Sequence, residues 1–171
     1  MFPKFIKLIV ALMSFGYSVF QFTENNIGNG IALIFLTLII IFFYFKNEII
    51  LLAFLRMRKQ DFEGTQKWLN KIKNPESALT QKQVGYYNFL RGIISSQKNL
   101  TEAEKYFKKA ISLGLSMNHD LAMAKMSLAG ILMQKRRKRE ATSLLNEAKK
   151  IDKQRMLADQ IRIMQQQMKR I

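Results

Sequence analysis

Residues 86–113 read YYNFLRGIISSQKNLTEAEKYFKKAISL, and this stretch decides the fold. Its first half spaces Tyr86, Phe89, Leu90, Ile93 and Ile94 at helical intervals. Its second half does the same with Leu100, Ala103, Tyr106, Phe107, Ala110 and Ile111, leaving the charges on the opposite face. Gln97-Lys98-Asn99 supplies a polar hinge between the two. Thr101 followed by Glu104 has the pattern of a capping box, which predicts that Thr101 starts the second helix. Gly114, just past the last apolar residue, predicts its stop. A hairpin of this size cannot bury both faces alone, so units of the same kind are expected on either side.

Sliding the chain against itself by 38 residues finds them. Leu90 falls on Leu52 and Leu128, and Arg91 on Ala53 and Ala129. Ala103 falls on Thr65 and Ala141, Phe107 on Leu69 and Leu145, and Ala110 on Ile72 and Ala148. Small, bulky and small again, four and three residues apart, suits a close helix–helix contact. The small side chains let the backbones approach and the bulky one fills the gap.

These residues resemble the tetratricopeptide repeat (TPR), in which a Leu and a small residue mark the first helix and an Ala-x-x-x-Phe-x-x-Ala run marks the second. Ala103, Phe107 and Ala110 match most closely, followed by Leu128-Ala129 with Ala141, Leu145 and Ala148. The period of 38 exceeds the family's usual value of about 34 by about one helical turn. Arg91 stands where a small residue is expected, and Pro75 alone remains of the prolines between units. The resemblance implies an all-α solenoid over 47–153, with hairpins at 47–77, 80–114 and 118–152. It also implies a concave groove for a protein partner, lined by Asn88, Gly92, Ser95 and Ser96 in the middle unit and by Met126, Gly130, Met133 and Gln134 in the third. The Lys/Asn clamp that some relatives place on acidic peptide C-termini is not reproduced there.

Ahead of the repeats, residues 1–46 read as a membrane anchor. Phe5–Phe22 is an apolar run of 18 residues, about 27 Å as a helix, with Lys7 near its start. A cleaved signal peptide is the competing reading, but no small-residue cleavage site follows and a second apolar run begins soon after. That run, Ile31–Phe45, lies beyond the turn TENNIGNG (23–30) and extends to a span of 27–46 if Ile27–Gly30 and Lys46 are taken in, so the two predict a transmembrane hairpin. Lys4 and Lys7 lie at the start of the first span, Lys46, Arg56, Arg58 and Lys59 follow the second, and the loop between has no Lys or Arg. Both ends are therefore expected on the cytoplasmic side of the cell (inner) membrane. Asn47–Gln60 continues the helical pattern without a breaker, predicting one helix that leaves the membrane and opens the first repeat. Asp61-Phe62 would turn the chain before a helix over Thr65–Ile72, and Asn74-Pro75 would end the unit. Thr80 with Gln83 predicts a second capping box, and Ser116 or Asn118 a cap for the third unit. Its helices are expected to run to Lys135 and over Glu140–Ile151.

The tail, 154–171, places Leu157, Ile161, Met164, Met168 and Ile171 four and three apart. Such a seam either seals the exposed end of a stack, as a capping helix, or pairs two chains as a homodimer.

Apart from Lys4, Lys7 and Glu24, every charge follows residue 45, where 26 basic residues face 11 acidic ones. That excess implies a polyanionic neighbour, and for an anchored chain the nearest is the lipid surface. The densest run is KRRKR, Lys135, Arg136, Arg137, Lys138 and Arg139, at the hinge of the third hairpin. It reads as a solvated turn, a contact for lipid headgroups, or a nucleic-acid contact. The absence of any aromatic residue from 135 to 171 argues against nucleic acid, whose single strands are held by stacking.

Nothing reads as catalytic. Cysteine is absent and His119 is the single histidine, so neither a metal site, a cofactor pocket nor a nucleophile–base pair is expected. No phosphate-binding glycine loop occurs. Asn99-Leu100-Thr101 fits a glycosylation sequon but reads here as a turn and cap. The expected function is a membrane-anchored adaptor or scaffold for a protein partner. The alternative is a basic cytoplasmic surface for anionic lipid or for RNA and ribosomes. Abundant Ile, Lys, Asn and Phe suit an AT-rich bacterial genome.

Overall fold

The computed structural model describes residues 4–45 and 48–169, and among them every regular element is a helix. Two compact units divide the chain, Met1–Leu51 and Leu52–Ile171.

In the first unit, α1 (Lys4–Thr23) packs on α2 (Ile27–Phe45). The turn between them holds Asn25 in the left-handed region at φ 58°. The contact is made by small and hydroxyl side chains. Ala11 is buried, Thr37 Oγ1 donates to Ser14 Oγ at 3.0 Å, and Ser18 Oγ donates to the Gly30 carbonyl at 2.9 Å. The bulky residues of both helices, among them Phe5, Leu12, Met13, Phe35 and Leu38, point outward and are exposed. A seam of small residues inside and an apolar surface outside is how helices associate in lipid. Lys7 Nζ lies 2.6 Å from Glu48 Oε2 in the opening turn of α3 (Glu48–Arg58), tying the start of α1 to the residues that follow α2. Over Phe5–Thr23, α1 is long and apolar enough to cross a membrane, whereas the apolar part of α2, Ile27–Phe42, is shorter. Lys46 and Asn47 lie outside the described residues, and with them the expected continuity of the second span into the first repeat.

The second unit contains α4 (Phe62–Asn70), α5 (Pro75–Ala78), α6 (Gln81–Ser95), α7 (Leu100–Leu113), α8 (Asn118–Gln134), α9 (Lys138–Ile151) and α10 (Ala158–Lys169). The quoted stretch is the α6–α7 hairpin; α8 and α9 form a second, and α7 packs on α8. The small–bulky–small pattern is the buried seam: Ala103, Phe107 and Ala110 are at most 1% exposed, and Ala141, Leu145 and Ala148 are 0% exposed. Thr65 and Leu69 on α4 are fully buried too, and Thr65 Oγ1 reaches the carbonyl of buried Ala53 at 3.4 Å. Leu52 differs from Leu90 and Leu128 in being exposed.

The 38-residue spacing also fixes the turns. The residues capping the N-termini of α4, α7 and α9 are Asp61, Asn99 and Arg137, each 38 after the last. Gln60 and Arg136, two periods apart, both stand at φ 59° and close matching turns, with Asp61 N–H donating to the Arg56 carbonyl and Arg137 N–H to that of Leu132. Such a left-handed residue satisfies the last carbonyls of a helix before the chain reverses.

Local expectations fared unequally. Thr80 and Gln83 form their capping box, with Thr80 N–H donating to Gln83 Oε1 at 3.1 Å, and Gly114 ends α7 at φ 77°. Thr101 does not start α7. Asn99 does, its Oδ1 accepting from Thr101 N–H and Glu102 N–H at 3.0 and 3.1 Å, and Glu104 is engaged elsewhere. Helix α4 starts three residues earlier than Thr65, because the Asp61 carboxylate accepts from Gly64 N–H at 2.8 Å. Pro75 does not simply end a unit but opens α5, where its fixed φ suits a first helical position. At α8 neither Ser116 nor Asn118 is the cap; that place is held by Met117, without a side-chain hydrogen bond. Helix α9 begins at Lys138, two residues before Glu140.

Candidate functional site

The groove residues of the middle unit sit on α6, with different fates. Asn88 is buried, and its amide donates to the Val84 carbonyl one turn back at 2.7 Å. Gly92 lies against Phe107, so that a Cβ there would stand 3.0 Å from three ring atoms; it serves the hairpin contact. Ser95 and Ser96 are half-buried near the hinge, and Ser96 Oγ bonds back to the Ile93 carbonyl at 2.7 Å. Of the four, Asn88 borders a cleft of about 470 Å³ between α5, α6 and α7, whose walls include Pro75, Tyr87 and Tyr106. Glu76 and Lys109 also line it and form an ion pair. The hydrogen bond from Lys109 holds the Glu76 carboxyl below its ordinary range.

Sequence reasoning missed this cleft because its walls come from three elements and only one was assigned to a groove. Arg91, which stands where Ala53 and Ala129 stand one period away, has a definite task beside it. Its guanidinium donates to Tyr87 Oη at 3.1 Å and to Asn70 Oδ1 of α4 at 2.7 Å, joining consecutive units. A small side chain could not make that bridge.

The third unit's residues do not line an open trough. Helix α10 packs on α8 and α9. Leu157, Ile161 and Met168 are at most 4% exposed, and Met164 packs partly buried. Gly130 faces the Met164 Sδ-methyl, 3.3 Å from where a Cβ would stand. Met126 packs against the cluster of Ala122, Ala148, Leu157 and Ile161, Met133 is buried in the main core with Met168, and only Gln134 is exposed. The tail seam is thus spent on the chain's own α8 and α9, the part of it at Ile171 lying outside the described residues.

The basic run is split by one carboxylate. Glu104, 7% exposed, receives Lys135 Nζ at 2.7 Å, Arg137 Nη1 at 2.7 Å and, from its own helix, Lys108 Nζ at 2.7 Å. Hydrogen bonds from Lys108, then Lys135 and Arg137, lower its carboxyl from 4.5 to about 2. Arg137 also holds Glu140 at 2.6 Å. Lys135 and Arg137 are therefore structural cations that dock the α8–α9 turn on α7. Arg136, Lys138 and Arg139 are exposed and have no ion pair among the described residues.

A second polar tie joins the first helices of successive units. Tyr86 Oη donates to Oδ2 of buried Asp120 on α8 at 2.6 Å, and the Tyr86 ring meets Phe54 of α3 edge-on at 6.1 Å. Burial, and then the bond to Asp120, push the phenol well above its ordinary range. His119 is half-buried beside Asp120 with no hydrogen-bond partner on Nδ1. Among the described residues no three His, Asp or Glu side chains gather as a metal site. No family model, curated protein or solved structure matches this chain.

Proposed function

We propose that this chain is a membrane-anchored, TPR-like adaptor that holds a protein partner at the cytoplasmic face of the membrane, without catalysis of its own. The observation that carries the reading is the shared period of seam and turn. The caps Asp61, Asn99 and Arg137 stand 38 residues apart, and the seam residues Thr65, Leu69, Ala103, Phe107, Ala110, Ala141, Leu145 and Ala148 behind them are at most 1% exposed. Helical hairpins repeated in register are a binding scaffold, whose walls are read by extended or helical segments. The anchor is supported by the small-residue seam of α1 and α2 and their exposed apolar surface. The positive-inside rule puts both ends in the cytoplasm. For the partner, the cleft at Tyr87, Asn88 and Tyr106 is the better site, since α10 covers the third unit's trough.

Two experiments test this. The chain has no cysteine, so Asn25→Cys and Gln154→Cys report sidedness directly. Labelling of intact cells by an impermeant maleimide should reach the first and not the second; the reverse overturns the topology. Full-length protein purified in mild detergent should keep a protein partner through high salt and lose it with Tyr106→Ala. A partner that survives Tyr106→Ala and Tyr87→Ala together places recognition away from this cleft.

A further inference from the structure

We propose that the cleft between α9 and α10, lined by Lys138, Arg162 and Lys169, binds the phosphate of an anionic lipid headgroup. The cleft has a volume of about 580 Å³, room for a headgroup. Its cations come from both helices: Lys138 opens α9, while Arg162 and Lys169 lie almost two turns apart on α10. The remaining lining is Thr142, Gln165, Gln166 and Met168, so no carboxylate faces the space.

This lack of a counter-charge sets the cleft apart from Lys135 and Arg137 in the adjoining basic run. There, Glu104 takes Lys135 and Arg137, and Glu140 takes Arg137 as well. Lys138, Arg162 and Lys169 have no ion pair among the described residues, and three unpaired cations around one concavity repel one another until an anion enters. The start of α9, a helix of 14 residues, adds the positive end of its dipole on the same side as Lys138. The walls are held in place. Thr142 Oγ1 donates to the Lys138 carbonyl at 2.8 Å and touches Met168 Sδ at 3.1 Å, and Met168 itself is buried. Gln166 is exposed and free to donate its amide to a phosphate or glycerol oxygen.

The chemistry favours a headgroup over a nucleic-acid strand. No aromatic side chain lines the cleft, and no Phe, Tyr or Trp occurs after Phe107, so bases would find no stacking surface. The phosphate site stands on the cleft alone. The choice of lipid as its source rests on the membrane anchor proposed above.

The test uses full-length protein in uncharged detergent, with a fluorescent phosphatidylglycerol as probe and anisotropy as readout. Binding in micelles does not require a spanning helix, so a failed topology experiment leaves this one intact. Phosphatidylglycerol should bind, phosphatidylcholine should not, and glycerol phosphate should compete. K138Q/R162Q/K169Q should weaken binding about tenfold or more, each cation near an anionic group contributing substantially. R136Q/R139Q/R155Q removes as many exposed charges outside the cleft and should change it less than about threefold. Gln166→Glu, which puts a carboxylate at the cleft without removing a cation, should weaken binding too. Equal losses in the two triple variants would show that affinity follows net charge and overturn the proposal. So would binding that phosphatidylcholine matches, or that glycerol phosphate fails to displace. Single-stranded RNA that binds in the cleft more tightly than phosphatidylglycerol would overturn the lipid assignment. Unchanged circular-dichroism melting of each variant confirms that the charge, rather than the fold, was altered.

Discussion

Gly85 on α6 faces the backbone carbonyl of Gly114 so closely that a Cβ on Gly85 would stand 2.6 Å from that oxygen. Two glycines 29 residues apart thus set how near the end of α7 comes to α6. Gly85→Ala should gain about 1 kcal/mol in helix propensity and lose more to the clash, because a carbonyl in a helix cap cannot swing aside. The expected net change is a loss of about 1–2 kcal/mol, read as a lower thermal midpoint by circular dichroism. A variant as stable as the parent would mean that the α7 cap moves freely.

Glu104 makes stability depend on acid. Its carboxyl is depressed in the folded chain, from 4.5 to about 2, so its contribution is complete above 4.5 and is lost as pH falls from there toward 2. Glu104→Gln should therefore cost on the order of 2 kcal/mol at neutral pH. The gap between variant and parent in urea midpoint should close near pH 2. A gap that is constant with pH would assign the effect to packing rather than to charge.

Phe107 and Leu145 hold equivalent places one period apart, both essentially inaccessible. Phe107→Ala should cost about 3–5 kcal/mol and Leu145→Ala about 2–5 kcal/mol, from lost burial and the cavity left behind. Denaturation followed by far-ultraviolet circular dichroism measures both.

Asp152 fastens the link between α9 and α10. Its Oδ1 accepts from Met156 N–H at 3.1 Å and its Oδ2 from Leu157 N–H at 2.7 Å, and the residue is buried. Asp152→Ala leaves two amides without their acceptor and should cost about 1–3 kcal/mol. The loss should show first as faster amide exchange in 157–169, ahead of the core helices.

What the sequence made legible was whatever depends on residues close along the chain or repeated at a fixed offset. The α6–α7 hairpin, the Thr80–Gln83 cap, the Gly114 stop and the buried Ala-bulky-Ala seams belong to that class. So does the apolar run of α1. The Thr101–Glu104 cap failed because Asn99 lies two residues upstream and an amide oxygen there reaches the first free N–H groups. Glu104 was then open to recruitment by Lys135 and Arg137, some 30 residues away, which no local pattern announces. The groove positions shared that fate. Met126, Gly130 and Met133 were assigned by offset, but which surface stays open depends on where α10 lands. The Gly85–Gly114 approach and the α5 turn at Pro75 are equally invisible without the tertiary fold.

The seat of α10 on α8 and α9 has a consequence for how such a chain can grow. A hairpin copied in after α9 would have to lift Ile161, Met164 and Met168 off the helices they cover and sever the two bonds from Asp152. One copied in between α7 and α8 would have to restore the Tyr86–Asp120 bond and the Glu104 cluster across a longer gap. The same contacts that hold α6 to α10 together make an inserted hairpin costly, so added residues should be tolerated in the turns and not between the packed helices.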